Sequence, residues 1–117
     1  MTIYIDDMHR YPMGQFGRMK MSHMVADTDD ELHAMAAAIG MKRAWFQGDH
    51  YDVSLGMRAN AVRLGAVEVT LKTLAWMCHM RRKTGSLPTP EAADENRAAE
   101  KASAELAIEE AKGDEAK

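Results

Sequence analysis

Lys42 to Thr70, KRAWFQGDHYDVSLGMRANAVRLGAVEVT, reads as strand, loop, helix and strand in succession. Ala44, Trp45 and Phe46 make Lys42–Gln47 a short apolar run that predicts a strand, and Gly48 and Asp49 lead out of it into the triplet His50-Tyr51-Asp52. Ser54 is placed to cap a helix running through Leu64, with Gly65 as its stop. Residues 66–70, AVEVT, then alternate as a strand does.

The flanking sequence repeats the pattern. At the start, TIYIDD places Ile3, Tyr4 and Ile5 in a β-rich run that ends at Asp6 and Asp7. Pro12, Gly14 and Gly17 mark residues 8–18 as a loop. RMKMSHMV (18–25) hints at an irregular second strand through Met19, Met21 and Met24, although Met has little β preference. Thr28 with Glu31 three residues on is a capping box, and Leu32, Met35, Ala36 and Ile39 give the helix behind it one apolar face before Gly40. Leu71–Lys83 returns to helical spacing. Strand followed by helix, three times over, predicts an α/β fold: a small three-stranded, mostly parallel sheet with flanking helices.

The 117 residues divide into two materials. Residues 1–86 read as the α/β domain and residues 87–117 as an acidic, Ala/Glu-rich tail, helical or disordered. Up to Leu87 there are 11 Lys+Arg against 9 Asp+Glu; from Pro88 onward there are 4 against 9, so the formal charge of -3 belongs to the tail. A near-neutral body gives no broad electrostatic case for nucleic acid, although Arg81, Arg82 and Lys83 form one local basic cluster. A single cysteine, Cys78, points to a reducing interior, and the early Asp6 and Asp7 argue against a signal peptide. With no apolar stretch of the ~20 residues a membrane span needs, a cytoplasmic protein is expected.

In a parallel sheet the loops at the C-terminal strand ends share one edge, where ligands bind. That edge is expected to gather Asp6, Asp7, His23, Asp27, Gln47, His50 and Asp52. Carboxylates held together repel, and proton sharing, an Arg or Lys, or a divalent cation relieves the repulsion, of which a cation is the natural solution here. Asp6, Asp7, Asp27 and Asp52 are therefore candidate ligands for Mg²⁺, Mn²⁺ or Zn²⁺, with His23 and His50 as proton carriers or further ligands. In an extended segment, His50 and Asp52 project to one side and Tyr51 to the other. Arg58 in the first turn of its helix suits a phosphate, Gln47 belongs with it, and Trp45 is placed to stack on a base. No Walker loop, GxGxxG, HExxH or nucleophile elbow is present.

The stretches YIDD, SHMVADTDDELHAMAAAIG, WFQGDHYDVS and RLGAVEV resemble the small bacterial and phage family called domain of unknown function 4031, over residues 2–70. The resemblance implies no activity. Its recurring polar positions map onto Asp6, Asp7, His23, Asp27, Glu31, His33, Gln47, His50, Asp52 and Arg58, and Met57 stands where the family commonly has a basic residue, which weakens a phosphate role for Arg58.

From the residues, the expected function is a small metal-dependent hydrolase acting on a nucleotide or other phosphoester. The alternative is a non-catalytic module that binds a nucleotide or a protein, and a third reading is an assembly protein. A body this small has little room for both a core and a deep pocket, so a homodimer completing the pocket is expected.

Overall fold

The computed structural model describes residues 2–115. Its strands are β1 (Ile3–Ile5), β2 (Gln15–Phe16), β3 (Met19–Ala26), β4 (Tyr51–Ser54) and β5 (Val67–Glu68). The Met-bearing segment is the longest strand and the centre of the sheet. β3 pairs antiparallel with β1, with β2 and with β4, and only β5 runs parallel to β1. The sheet is thus five-stranded, mixed and mostly antiparallel, which corrects the three-stranded, mostly parallel sheet read from the sequence. A strand paired on both edges takes its stability from those neighbours, so the weak β preference of Met does not decide its state.

Lys42–Gln47 is not the strand expected from its apolar run. Arg43–Trp45 forms a single 3-10 turn, and the strand lies downstream at Tyr51–Ser54. Tyr51 and Val53 are buried there while Asp52 and Ser54 face the other way, which is the alternation a half-buried strand requires. A short aromatic run without that alternation has no sheet face to fill.

The helices start where their caps stand. In α1 (Asp29–Ala38), Thr28 Oγ1 accepts from the Glu31 N–H at 3.3 Å. α2 (Leu55–Arg63) starts at Ser54, and α3 (Leu71–Thr84) at Thr70, whose Oγ1 accepts from the Thr73 N–H at 3.1 Å. Gly85, with φ 86°, ends α3 in the left-handed conformation. α4 (Pro90–Glu115) follows as one long helix.

Strand alternation feeds a core on each face of the sheet. Ile5, Met24, Tyr51 and Val53 pack with Leu32 and Ala36 of α1 and Ala61 of α2. Tyr4 and Val25 pack on the opposite face with Leu74 and Met77 of α3 and Ala93 of α4. His23 and Asp52 lie opposite each other across β3 and β4, one residue out of phase with the Met24–Tyr51 pair, so they belong to the α3 side. Among the described residues, no helix is long and apolar enough to cross a membrane.

Candidate metal centre

The site is built across three neighbouring strands, with His23 in the middle. Beyond the end of β1, the Asp6 N–H donates to His23 O at 3.0 Å and so continues the β1–β3 ladder. On the other edge, β4 brings Asp52 opposite His23. Cross-strand pairing therefore lays Asp6, His23 and Asp52 in a row, although they are far apart in the chain.

Asp6 is fully buried and accepts three hydrogen bonds. Its Oδ1 takes the backbone N–H groups of Met8 (3.1 Å) and His23 (2.9 Å), and its Oδ2 lies 2.8 Å from His23 Nδ1. A carboxylate only accepts, so the proton sits on Nδ1 and Nε2 keeps its lone pair in the neutral ring. The Asp6 hydrogen bond raises the His23 pKa, and burial opposes it. His50 repeats the design: its Nδ1 lies 2.6 Å from Asp49 Oδ1, leaving its Nε2 free as well.

Both free nitrogens face the same oxygen. Asp52 Oδ1 lies 3.4 Å from His50 Nε2 and 3.9 Å from His23 Nε2, and the two rings meet edge to face at 5.1 Å. The other Asp52 oxygen, Oδ2, accepts from Gln47 Nε2 at 2.7 Å. Among the described residues, no hydrogen bond reaches Asp52 Oδ1, although that atom is buried. Leaving a carboxylate oxygen buried without a hydrogen bond is costly, and a bound cation or a protonated imidazole would offset the cost.

His23, His50 and Asp52 offer ligand atoms within 4.8 Å of one another. Ligands around a tetrahedral Zn²⁺ stand about 3.3 Å apart, given bonds of ~2.0–2.1 Å, so small side-chain shifts close the site. Each ligand is held from behind, by Asp6, Asp49 and Gln47 respectively. Partners of this kind orient a metal ligand and raise its basicity.

The remaining candidates fall elsewhere. Asp27 follows the end of β3 that lies beside the start of β1, where its Oδ2 accepts from the Thr2 N–H at 3.0 Å. Because β3 runs antiparallel to β1, its last residue pairs with the first residue of β1, away from the end that carries Asp6, and Asp27 does not join the cluster. Asp7 Oδ1 accepts from the Leu71 N–H at 2.8 Å and so caps α3. Arg58 is engaged twice, donating from Nε to Asp6 O at 3.0 Å and from Nη1 to Glu68 Oε1 at 2.9 Å. His33 pairs with the Tyr51 hydroxyl at 2.8 Å behind the sheet.

Two contributors lie outside the candidate site residues read from the sequence. Asp49 adjoins His50, and that adjacency was the available signal. Arg82, from the basic cluster, stands 3.6 Å from Asp49 Oδ2 and lines a cavity of ≈ 180 Å³ with Asp6, His23, Asp49 and His50. Its neighbour Arg81 donates to Ala26 O and Asp49 O, fastening the Asp49 loop to the sheet and α3. Cys78 also lines the cavity, and burial pushes its thiol pKa up. On the far side of Asp52, Trp45 and Gln47 border a second, apolar groove.

The family model described as protein of unknown function (DUF4031) matches residues 3–82, and the chain belongs to this family. No curated protein and no solved structure matches the chain. The matched span contains every residue of the His23–His50–Asp52 cluster and the groups behind it, and it stops before α4.

Proposed function

We propose, for a chain whose family description carries no activity, that His23, His50 and Asp52 hold a divalent cation and that the protein hydrolyses a phosphoester with it. One observation carries this reading: three ligating atoms converge, and the most central, Asp52 Oδ1, is buried without a hydrogen-bond partner. Nitrogen and oxygen donors suit Zn²⁺ or Mn²⁺ better than Mg²⁺, which prefers oxygen. Three protein ligands leave coordination positions open, as catalytic sites do and closed structural zinc sites do not.

Charge favours an anionic substrate once the cation is bound. The carboxylates of Asp6, Asp49 and Asp52 are balanced by a divalent ion and Arg82, so an incoming phosphate meets no net repulsion. Arg82 takes the phosphate-holding role expected of Arg58, whose guanidinium is tied to Asp6 and Glu68. His23 and His50 serve as ligands in this reading, since Nδ1 of each is held by a carboxylate.

In the reaction, a water oxygen bonds to phosphorus as the ester P–O bond breaks. The electron pair of that bond stays with the ester oxygen, which gains a proton, while the water's own proton passes to solvent. A bound cation supplies polarisation of the phosphoryl oxygens and an acidified water. The test is a panel of phosphomonoesters and phosphodiesters incubated with purified protein and each metal in turn. Turnover that needs Zn²⁺ or Mn²⁺ and disappears in His50→Ala supports the reading. Stoichiometric metal binding without turnover on any ester contradicts the hydrolase and leaves a metal-binding module.

A further inference from the structure

We infer that the groove on the far side of Asp52 receives a flat, uncharged ring of the substrate, so that the phosphoester carries a nucleobase or a comparable aromatic group. The inference rests on the metal-site reading for where the phosphate lies, but the groove has properties of its own. Its volume is ≈ 470 Å³, within the range of small-molecule sites. Met19, Met21, Met41 and Met57 form its walls together with Trp45 and Phe46.

Among the described residues, Asp52 is the one charged side chain of the lining itself, and it sits beside Gln47, the residue that holds it, while the Lys42 ammonium stands 5.7 Å from the centre of the Trp45 ring. An occupant that fills the groove therefore reaches the same carboxylate that faces His23 and His50, whose own cavity lies on the other side with Arg82. The cluster stands between an apolar pocket and a cationic rim. A molecule spanning both has a ring at one end and a phosphate at the other.

The walls select for ring shape and polarisability. Thioethers adapt to flat faces and interact favourably with aromatic rings, and an indole stacks on them. Trp45 is 46 % exposed and Met19 51 %, so both present apolar surface to an incoming group. Besides Asp52, Ser54 and Gln47 are the polar side chains of the lining: Ser54 Oγ accepts from the Met57 N–H, and Gln47 Nε2 donates to Asp52. Walls made mostly of thioethers and aromatic rings predict binding carried by stacking, which tolerates different bases.

Calorimetry on the full chain, metal-free and Zn²⁺-loaded, tests the proposal with adenosine, adenosine monophosphate, uridine monophosphate and ribose 5-phosphate. Wild type is expected to bind both nucleotides at least about tenfold more tightly than ribose 5-phosphate, and to bind adenosine with or without metal. Trp45→Ala should lose about tenfold in nucleotide affinity while its Zn²⁺ and ribose 5-phosphate affinities stay unchanged, with Trp45→Phe recovering most of the loss. Equal affinity for nucleotide and ribose 5-phosphate, or indifference to Trp45→Ala, overturns the groove assignment. Absence of Zn²⁺ binding defeats the metal reading alone, since adenosine binding that depends on Trp45 still supports the groove.

Discussion

At the scale of single residues, the informative contrast is between His50 and His23. The i, i+2 spacing of His50 and Asp52 shows in the sequence, and the structure brings both to one side with Tyr51 on the other. The link from His23 to Asp6 was not visible, because it depends on which strands pair and in which direction. The carboxylate behind each imidazole has a measurable consequence. Asp49→Asn removes the acceptor charge at His50 Nδ1 on a partly exposed loop, and should weaken Zn²⁺ binding by roughly 10- to 100-fold with little change in stability. Calorimetric titration beside thermal denaturation measures both. His9 carries a separate pH effect. Its pKa is lowered by burial and by the Arg58 and Arg10 charges, against Asp7 and Asp6, so the unfolded chain binds the proton more readily. Stability from this group is full above the ordinary histidine value of about 6.5 and is lost as pH falls through the lowered folded value. His23, with its raised pKa, acts in the opposite sense. The comparison that isolates His9 is wild type against His9→Gln, which should lose less stability than wild type on acidification.

At the scale of elements, cap chemistry was legible and strand pairing was not. Thr28 and Ser54, read as caps from the sequence, and Thr70, read there as the end of a strand, begin their helices because side-chain oxygens satisfy N–H groups a few residues ahead, a wholly local event. β3 is non-local. Its residues read as an irregular strand, but its central place follows from three partners that no window of sequence reveals. The misplaced strand at Lys42–Gln47 shows the converse error, apolar content without alternation. The loop feeding β2 carries a tighter constraint than its composition suggests. A Cβ on Gly14 would stand 2.3 Å from Met8 O and 2.9 Å from Met21 O, both backbone atoms. Gly14→Ala must therefore push the Met8–Arg10 turn off β3, and should cost about 3 kcal/mol in urea denaturation.

At the scale of the whole molecule, the acidic C-terminal segment does two different things. Its first turns belong to the body: Ala93 is fully buried, Thr73 Oγ1 donates to Asp94 at 2.8 Å, and Trp76 Nε1 donates to Asn96 at 2.9 Å. Beyond them α4 continues as an exposed helix, and the molecule measures 63 × 31 × 23 Å. Composition changes at Pro88 but packing does not, because small Ala side chains let two helices approach whatever their net charge. Truncation after Gly85 should therefore lower the melting temperature by uncovering Leu74 and Met77, whereas truncation after Lys101 should leave it within about 1 °C of the full chain. Metal affinity should survive the shorter truncation, since every ligand precedes α3. Cation binding turns on Asp52 Oδ1, the buried oxygen that no hydrogen bond reaches, and the most direct measurement is Zn²⁺ titration of the full-length chain beside Asp52→Ala, both verified as folded. The expected result is one ion per wild-type chain and none in the variant; equal binding by the two, or no binding by wild type, would contradict it.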